Sequence, residues 1–397
     1  MISKEFKIVL KKLIRTSTVA ISLDILLKGQ LSFLNKYYNV VAVSGFDKHL
    51  QNVKNREKVP TISVSFQRNI SPLQDIISLI KIYSVLKKEK PYMVHSITPK
   101  AGLLTMTAAY FARVPIRIHT FTGLVFPYKK GIFQNILIFM DKVLCHFATH
   151  IIPEGQGVKN DLINYKITKK PLKIIANGNI NGVDLEYFNP NLFPVDSCNK
   201  LRKELGIDAN DFVFLFIGRL VKDKGINELV AAFSKFENQN NTIKLLLVGP
   251  AEAHLDPLEN ATLQEINNNK NIISVGFQDD VRPFYALSNC LVFPSYREGF
   301  PNVVLQAGAM NLPSIVTNIS GCNEIIEQHK NGIIIPVKNE NAIFDAMQLL
   351  YSDKKLAENC KKNAQNVIAT KFNQDLVWQE LLNFYKQLEK NELETKP

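Results

Sequence analysis

The sequence predicts an α/β fold built as two doubly wound parallel sheets, and three observations lead to it. Short apolar runs alternate with helix-length stretches in both halves of the chain, as strands and crossover helices do. A polar stretch between Asn189 and Asn210, punctuated by Asn189-Pro190-Asn191 and Pro194, separates the two series. The charge changes sign across it: residues 1–190 hold 27 Lys and Arg against 11 Asp and Glu, a balance of +16, and the remainder holds 21 against 25, a balance of −4. The expected domains are residues 1–195 and 196–374.

Taken in order, Met1 to Arg15 alternates Lys with apolar residues and reads as a first strand around Phe6 to Leu10. Val40 to Val43, Met93 to Ser96 and Ile116 to His119 are the next strand candidates, with helical stretches such as Leu73 to Lys88 between them. The second half opens on Phe212 to Ile217 and continues with Ile243 to Val248, Ile272 to Val275, Cys290 to Pro294 and Ser314 to Thr317. A helix is expected from Asn302 to Met310, with Pro301 at its entrance.

The chain has 397 residues and is 46% hydrophobic, enough for two cores of ordinary size. No apolar run reaches the ~18 residues of a membrane span, Ala101 to Ala112 being stopped by Arg113, and the N-terminus lacks a continuous apolar signal core. A cytoplasmic location is expected. The five cysteines are odd in number and far apart, none paired at metal-ligand spacing, and read as reduced and structural. The basic half suits nucleic acid, anionic lipid or a phosphorylated acceptor. No helix-turn-helix, zinc or ribonucleoprotein-type pattern accompanies the charge, which sets nucleic acid aside. Lys129-Lys130 ahead of Ile132 to Met140 fits an anionic membrane surface; an ordinary core helix with solvated lysines is the alternative.

The chemistry concentrates at strand-to-helix turns. Arg297 to Pro313 joins a polar Gly-containing turn to an apolar helix, whose first N–H groups lack partners and can donate to sugar hydroxyls or phosphate oxygens beside the Glu298 carboxylate. Gly218 to Gly225 follows the first strand of the second half, so Arg219 and Lys224 fall where a diphosphate binds in such sheets. Thr317 to Glu324 forms another polar loop, in which Ser320 as helix cap and Glu324 as dipole partner compete with a ligand role. Phe277 either walls a base pocket or belongs to the core. In the first half, His119 at a strand end is structural or faces a ligand. Lys100 and the N–H groups beside it hold an acceptor phosphate, unless Thr98 simply caps the helix.

The stretch from Glu298 resembles the donor-sugar motif of the family 4 retaining glycosyltransferases, in which a Glu opens a Gly-Phe-Pro turn and a second Glu follows after seven residues. Here Gln306 stands at the second position. It keeps hydrogen-bonding capacity for a ribose but supplies no carboxylate. The chain also has Thr16-Ser17-Thr18-Val19-Ala20 where many members carry a Gly-Gly pair. The resemblance implies a GT-B fold, two Rossmann-like domains facing a central cleft, with a final helix in residues 375–397 returning to the first domain. It implies that Glu298 and His119 lie at the transferred sugar. Gly299, Phe300, Pro301, Asn302, Gln306, Phe277 and Glu324 would bind the donor, and Arg219 and Lys224 its diphosphate. Fixed cations there offset the charge that grows on the departing group. No Asp-x-Asp is present, so neither a metal nor a cofactor is expected beyond the nucleotide-sugar substrate. The activity implied is transfer of a uridine-linked hexose or N-acetylhexosamine to a lipid-diphosphate-linked or growing saccharide. A nucleotide-sugar 2-epimerase and a non-catalytic binding subunit are the alternatives.

Overall fold

The computed structural model describes residues 10–66, 71–240, 242–252 and 256–394. Two compact units divide it: Met1–Asn181 with Asp375–Pro397, and Gly182–Gln374. The expected strand at Phe6 to Leu10 lies outside the described residues except for Leu10.

Among the described residues, the first unit has six parallel strands: β1 (Lys12–Thr16), β2 (Asn39–Ser44), β3 (Thr61–Ser63), β4 (Met93–Ile97), β5 (Ile116–Phe121) and β6 (His150–Pro153). Their order is β3-β2-β1-β4-β5-β6. Leu13 of β1 pairs with Val40 on one side and Met93 on the other, which makes β1 central and explains why its side chains are buried on both faces. That position also buries a cation. Arg15 is fully enclosed and donates to Tyr385 Oη at 2.7 Å and to His95 Nδ1 at 3.1 Å. A guanidinium can only donate, so Nδ1 is the acceptor and the imidazole proton sits on Nε2, 2.7 Å from Thr120 Oγ1. Burial and the Arg15 charge hold His95 neutral, well below the usual histidine range.

Tyr385 belongs to the last helix, Gln374–Glu394, which packs Leu381, Leu382, Phe384 and Leu388 into the core of the first unit. The chain passes to the second unit at Asn181/Gly182, earlier than the punctuated stretch suggested. Val183 donates to Phe372 O at 2.8 Å and accepts from Gln374 N at 3.0 Å, so two passing segments are bound side by side. The Pro-rich stretch beyond them is part of the second unit, where Arg202 of the helix Val195–Glu204 donates to Leu287 O at 2.7 Å.

The second unit repeats the plan among its described residues: β7 (Phe212–Ile217), β8 (Ile243–Val248), β9 (Ile272–Ser274), β10 (Cys290–Phe293), β11 (Ser314–Thr317) and β12 (Gly332–Ile335), in the order β12-β11-β10-β7-β8-β9. The near-continuous apolar run Phe212-Val213-Phe214-Leu215-Phe216-Ile217 is what a strand covered by helices on both faces requires. Its phenylalanines pack with Phe233, Phe236 and Phe293.

Candidate active site

In a sheet of this order, the connections from β7 and β10 leave in opposite directions, and ligands bind outside the carboxyl ends of such a strand pair. Both exits carry residues that the sequence singles out. After β7 the chain makes a tight turn, Lys222–Lys224, and Gly225 opens the helix Ile226–Glu237. Gly225 has φ +72°, and a Cβ there would lie 2.2 Å from Pro294 O, so only glycine lets this turn press against the exit of β10.

That approach joins Lys224 to Glu298 as an ion pair in which both side chains are mostly buried. Ser295 Oγ donates to the same carboxylate oxygen at 2.9 Å and fixes its orientation. Two residues that the sequence reading did not single out staple the loops: Arg297 donates to Asp223 Oδ2 at 2.9 Å, and the Tyr296 hydroxyl donates to Glu228. Arg219 pairs with Glu252 at 2.7 Å in a solvent-exposed contact. Such a pair is worth only ~0–1 kcal/mol, so a ligand phosphate can replace the carboxylate at little cost.

The turn Gly299–Asn302 leads into the helix Asn302–Ala309 as expected. Phe300 sends its ring inward, 5.5 Å from that of Phe372, so what it offers a ligand is backbone. Gln306 is held by Tyr285, a fully buried residue whose hydroxyl lies 3.2 Å from Gln306 Oε1 and 3.0 Å from Val303 O. With its oxygen engaged there, the amide of Gln306 turns its N–H groups away from Tyr285.

Gly321, rather than Ser320, stands at the start of the helix Cys322–Ile325; its φ is +75°, and a Cβ would lie 2.5 Å from Gly299 O. Glu324 Oε1 accepts from Gly321 N at 3.2 Å, so this carboxylate helps secure the loop that lies on the Gly299–Pro301 turn. Phe277 is 68% exposed beyond the edge strand β9 and is not a core residue.

In the first unit, β5 runs on to Phe121, which puts His119 inside the strand instead of after it. The ring is fully buried. Its Nδ1 lies 2.8 Å from Ser96 Oγ, its Nε2 has no partner among the described residues, and a Cβ at Gly102 would meet it at 2.4 Å. Burial lowers its pKa to about 3, so it is neutral. In this conformation His119 presents no atom to a ligand.

The exits of β1 and β4 meet at Thr18 and Thr98, whose hydroxyls lie 2.8 Å apart. Thr98 does not cap the helix Pro99–Phe111 with its side chain; Thr18 Oγ1 accepts from Ala101 N at 3.1 Å instead. Thr98 takes φ +72° and ψ 139°, a strained backbone for a β-branched residue. Lys100 is 9% exposed and pairs with Asp75 at 2.7 Å.

Comparison with known proteins identifies the family. The family model described as Glycosyltransferase Family 4 matches residues 33–186, and that described as Glycosyl transferases group 1 matches residues 198–367. The capsular polysaccharide biosynthesis glycosyltransferase CapM of Staphylococcus aureus is 32% identical over 378 residues, covering 94% of this chain and 97% of its own. The UDP-Gal:alpha-D-GlcNAc-diphosphoundecaprenol alpha-1,3-galactosyltransferase of Escherichia coli is 32% identical over 324 residues, 79% of each chain. Among solved structures, Anabaena Alr3699/HepE in complex with UDP and glucose superposes with a TM-score of 0.78 at 18% identity, covering 95% of this chain and 100% of that one, which shows the GT-B fold. The chain belongs to the family 4 glycosyltransferases of GT-B fold and is a glycosyltransferase.

Proposed function

We propose that this enzyme transfers a hexose or N-acetylhexosamine, with retention of anomeric configuration, from a UDP-linked donor to a saccharide carried on a lipid diphosphate during surface-polysaccharide synthesis. The observation that carries the reading is the Lys224–Glu298 pair across the exits of β7 and β10, with Arg219 in the same loop after β7. As the glycosidic bond to the diphosphate breaks, negative charge grows on the leaving oxygens; Lys224 and Arg219 stabilise it. Glu298, oriented by Ser295, faces the sugar end of the same site. The backbone of Gly299–Asn302 supplies N–H donors, and Gln306 offers its amide to the ribose. Lys224 and Arg219 take the part a metal would otherwise play, so no metal is required. The galactosyltransferase that resembles this chain is named for a diphosphoundecaprenol acceptor, and the HepE structure holds UDP and glucose; both support the substrate classes named here.

A membrane-surface partner fits the first unit. The apolar residues after Lys129-Lys130 do not form a core: the helix Gly131–Phe147 exposes Ile132 at 80% and Phe139 at 66%. The helix Pro72–Glu89 exposes Leu73 at 78% and Ile80 at 60%, and both helices pack against Pro99–Phe111. Among the described residues no helix is long and apolar enough to cross a membrane, so attachment rests on these faces and on lysines.

Purified protein incubated with a panel of nucleotide sugars tests the reading by release of the nucleoside diphosphate. The expected result is release from a UDP-sugar, unchanged in excess chelator and stimulated by a lipid-diphosphate saccharide. No release from any nucleotide sugar, with or without such an acceptor, contradicts it.

A further inference from the structure

Beside the strained Thr98, the first unit has a half-open cavity of about 420 Å³, inside the ~300–1,000 Å³ range of small-molecule sites. Its walls are mainly apolar, with Leu103, Phe126, Leu137 and Met140 among them. The helix Gly131–Phe147 gives it one continuous stripe, Phe133, Leu137, Met140 and Asp141, at helical spacing. An acid at the last of these positions is out of place. Asp141 makes no hydrogen bond or ion pair with any described residue, and burial raises its pKa to about 7. Asp141 is partly exposed at the pocket wall, and a carboxyl that no described protein group pairs there is one that a ligand donor can complete.

Across the cavity, Thr18 and Thr98 are partly satisfied. Thr98 Oγ1 accepts from Thr18 N, and Thr18 Oγ1 accepts from Ala101 N. The contact between the two hydroxyls uses one of their two protons. The other remains for a ligand oxygen. Lys100 also lines the pocket, but its ammonium is held by Asp75 at 2.7 Å, so the occupant is one that is apolar over most of its surface, gives one proton to a carboxyl and takes one from a hydroxyl. A bare hydrocarbon leaves Asp141 and the threonines unpaired, and an unsubstituted hexose sets hydroxyls against aliphatic walls. A secondary amide with a short acyl group meets all three requirements.

We propose that this cavity receives the acylamino group of an N-acylated acceptor sugar, its methyl among Leu103, Leu137 and Met140, its N–H donated to Asp141 and its oxygen accepting from the Thr18–Thr98 pair. The inference rests on the reading of the acceptor as a saccharide on a lipid diphosphate and makes Asp141 the residue that selects which saccharide.

Calorimetric titration of the full chain with farnesyl-diphosphate-linked N-acetylglucosamine and with farnesyl-diphosphate-linked glucose tests it. At pH 8, where a carboxyl with a pKa of about 7 is mostly ionised, the parent should bind the N-acetylated probe ~10- to 100-fold more tightly, the scale of one hydrogen bond to a charged group. Asp141→Leu should bind both probes alike, and Leu137→Trp, which fills the cavity, should lose the preference as well; unchanged UDP affinity in both variants shows that they are folded. Equal affinity of the parent for the two probes, or a preference that survives Asp141→Leu, overturns the inference and leaves the lipid-diphosphate acceptor standing. Failure of the parent to bind either probe overturns both.

Discussion

Gln306 and His119 show how far a residue's type determines its part. Gln306 departs from the carboxylate that the family motif carries, but Tyr285 grips its oxygen and fixes the side chain beside the start of the helix Asn302–Ala309. Gln306→Glu gives that hydroxyl an equally good acceptor, so turnover should be equal or higher, with any gain appearing as a lower KM for the donor. Loss of all activity in this variant, with the fold intact, contradicts the placement of the ribose there. His119 fits the family pattern in type, but β5 carries it into the core. Its folded pKa of about 3 lies below its ordinary 6.5, so the unfolded chain takes up a proton first as the pH falls. The stability given by the neutral ring is full above about pH 6.5 and is lost toward pH 3, at ~1.4 kcal/mol per pH unit for this group. His119→Gln should flatten the fall of the urea midpoint between about pH 6.5 and about pH 4 relative to the parent. Identical slopes, or a collapse of kcat with unchanged stability, would contradict a ring held inside the strand.

Elements were legible where their pattern was long. Phe212 to Ile217 and Ser314 to Thr317 stand in the structure with the bounds the sequence suggested, and the helix Leu73 to Lys88 differs by one residue at each end. The first described strand, β1, stands at Lys12–Thr16, later in the chain than the Phe6 to Leu10 expected, and the strands not anticipated, β3, β6 and β12, are edge strands of three or four residues, too short to show a period. What periodicity misjudges is which face finds a partner. Ile132 to Met140 looks the same whether a helix covers it or water does, and only the packing of Gly131–Phe147 shows that Ile132 and Phe139 stay uncovered. If that face meets a membrane, the chain should co-sediment with anionic vesicles and not with neutral ones, and near-molar salt should release it. Lys129→Glu with Lys130→Glu should weaken binding, each lysine contributing up to ~1 kcal/mol at the surface. Recovery in the supernatant with both vesicle types at low salt contradicts a membrane-surface role.

At the scale of the whole chain, two parallel sheets and the loops that carry Arg219, Lys224 and Glu298 could be read from the sequence, because strand exits in doubly wound sheets are where ligands bind. The crossing between units was placed too late, since Pro and Asn punctuation marks any turn, while Val183 and Phe372 meet only in three dimensions. Contacts far apart in sequence were equally hidden: the Arg15–His95–Tyr385 network joins the first strand to the last helix, and Arg297–Asp223 joins two loops. The central claim is that Lys224, paired with Glu298, holds the diphosphate as it leaves. Its most direct test is the turnover number for UDP release by Lys224→Ala, measured beside its unfolding midpoint. The account predicts a fall of at least ~100-fold with the fold retained, the scale of losing one preorganised electrostatic contact; turnover within twofold of the parent would contradict it.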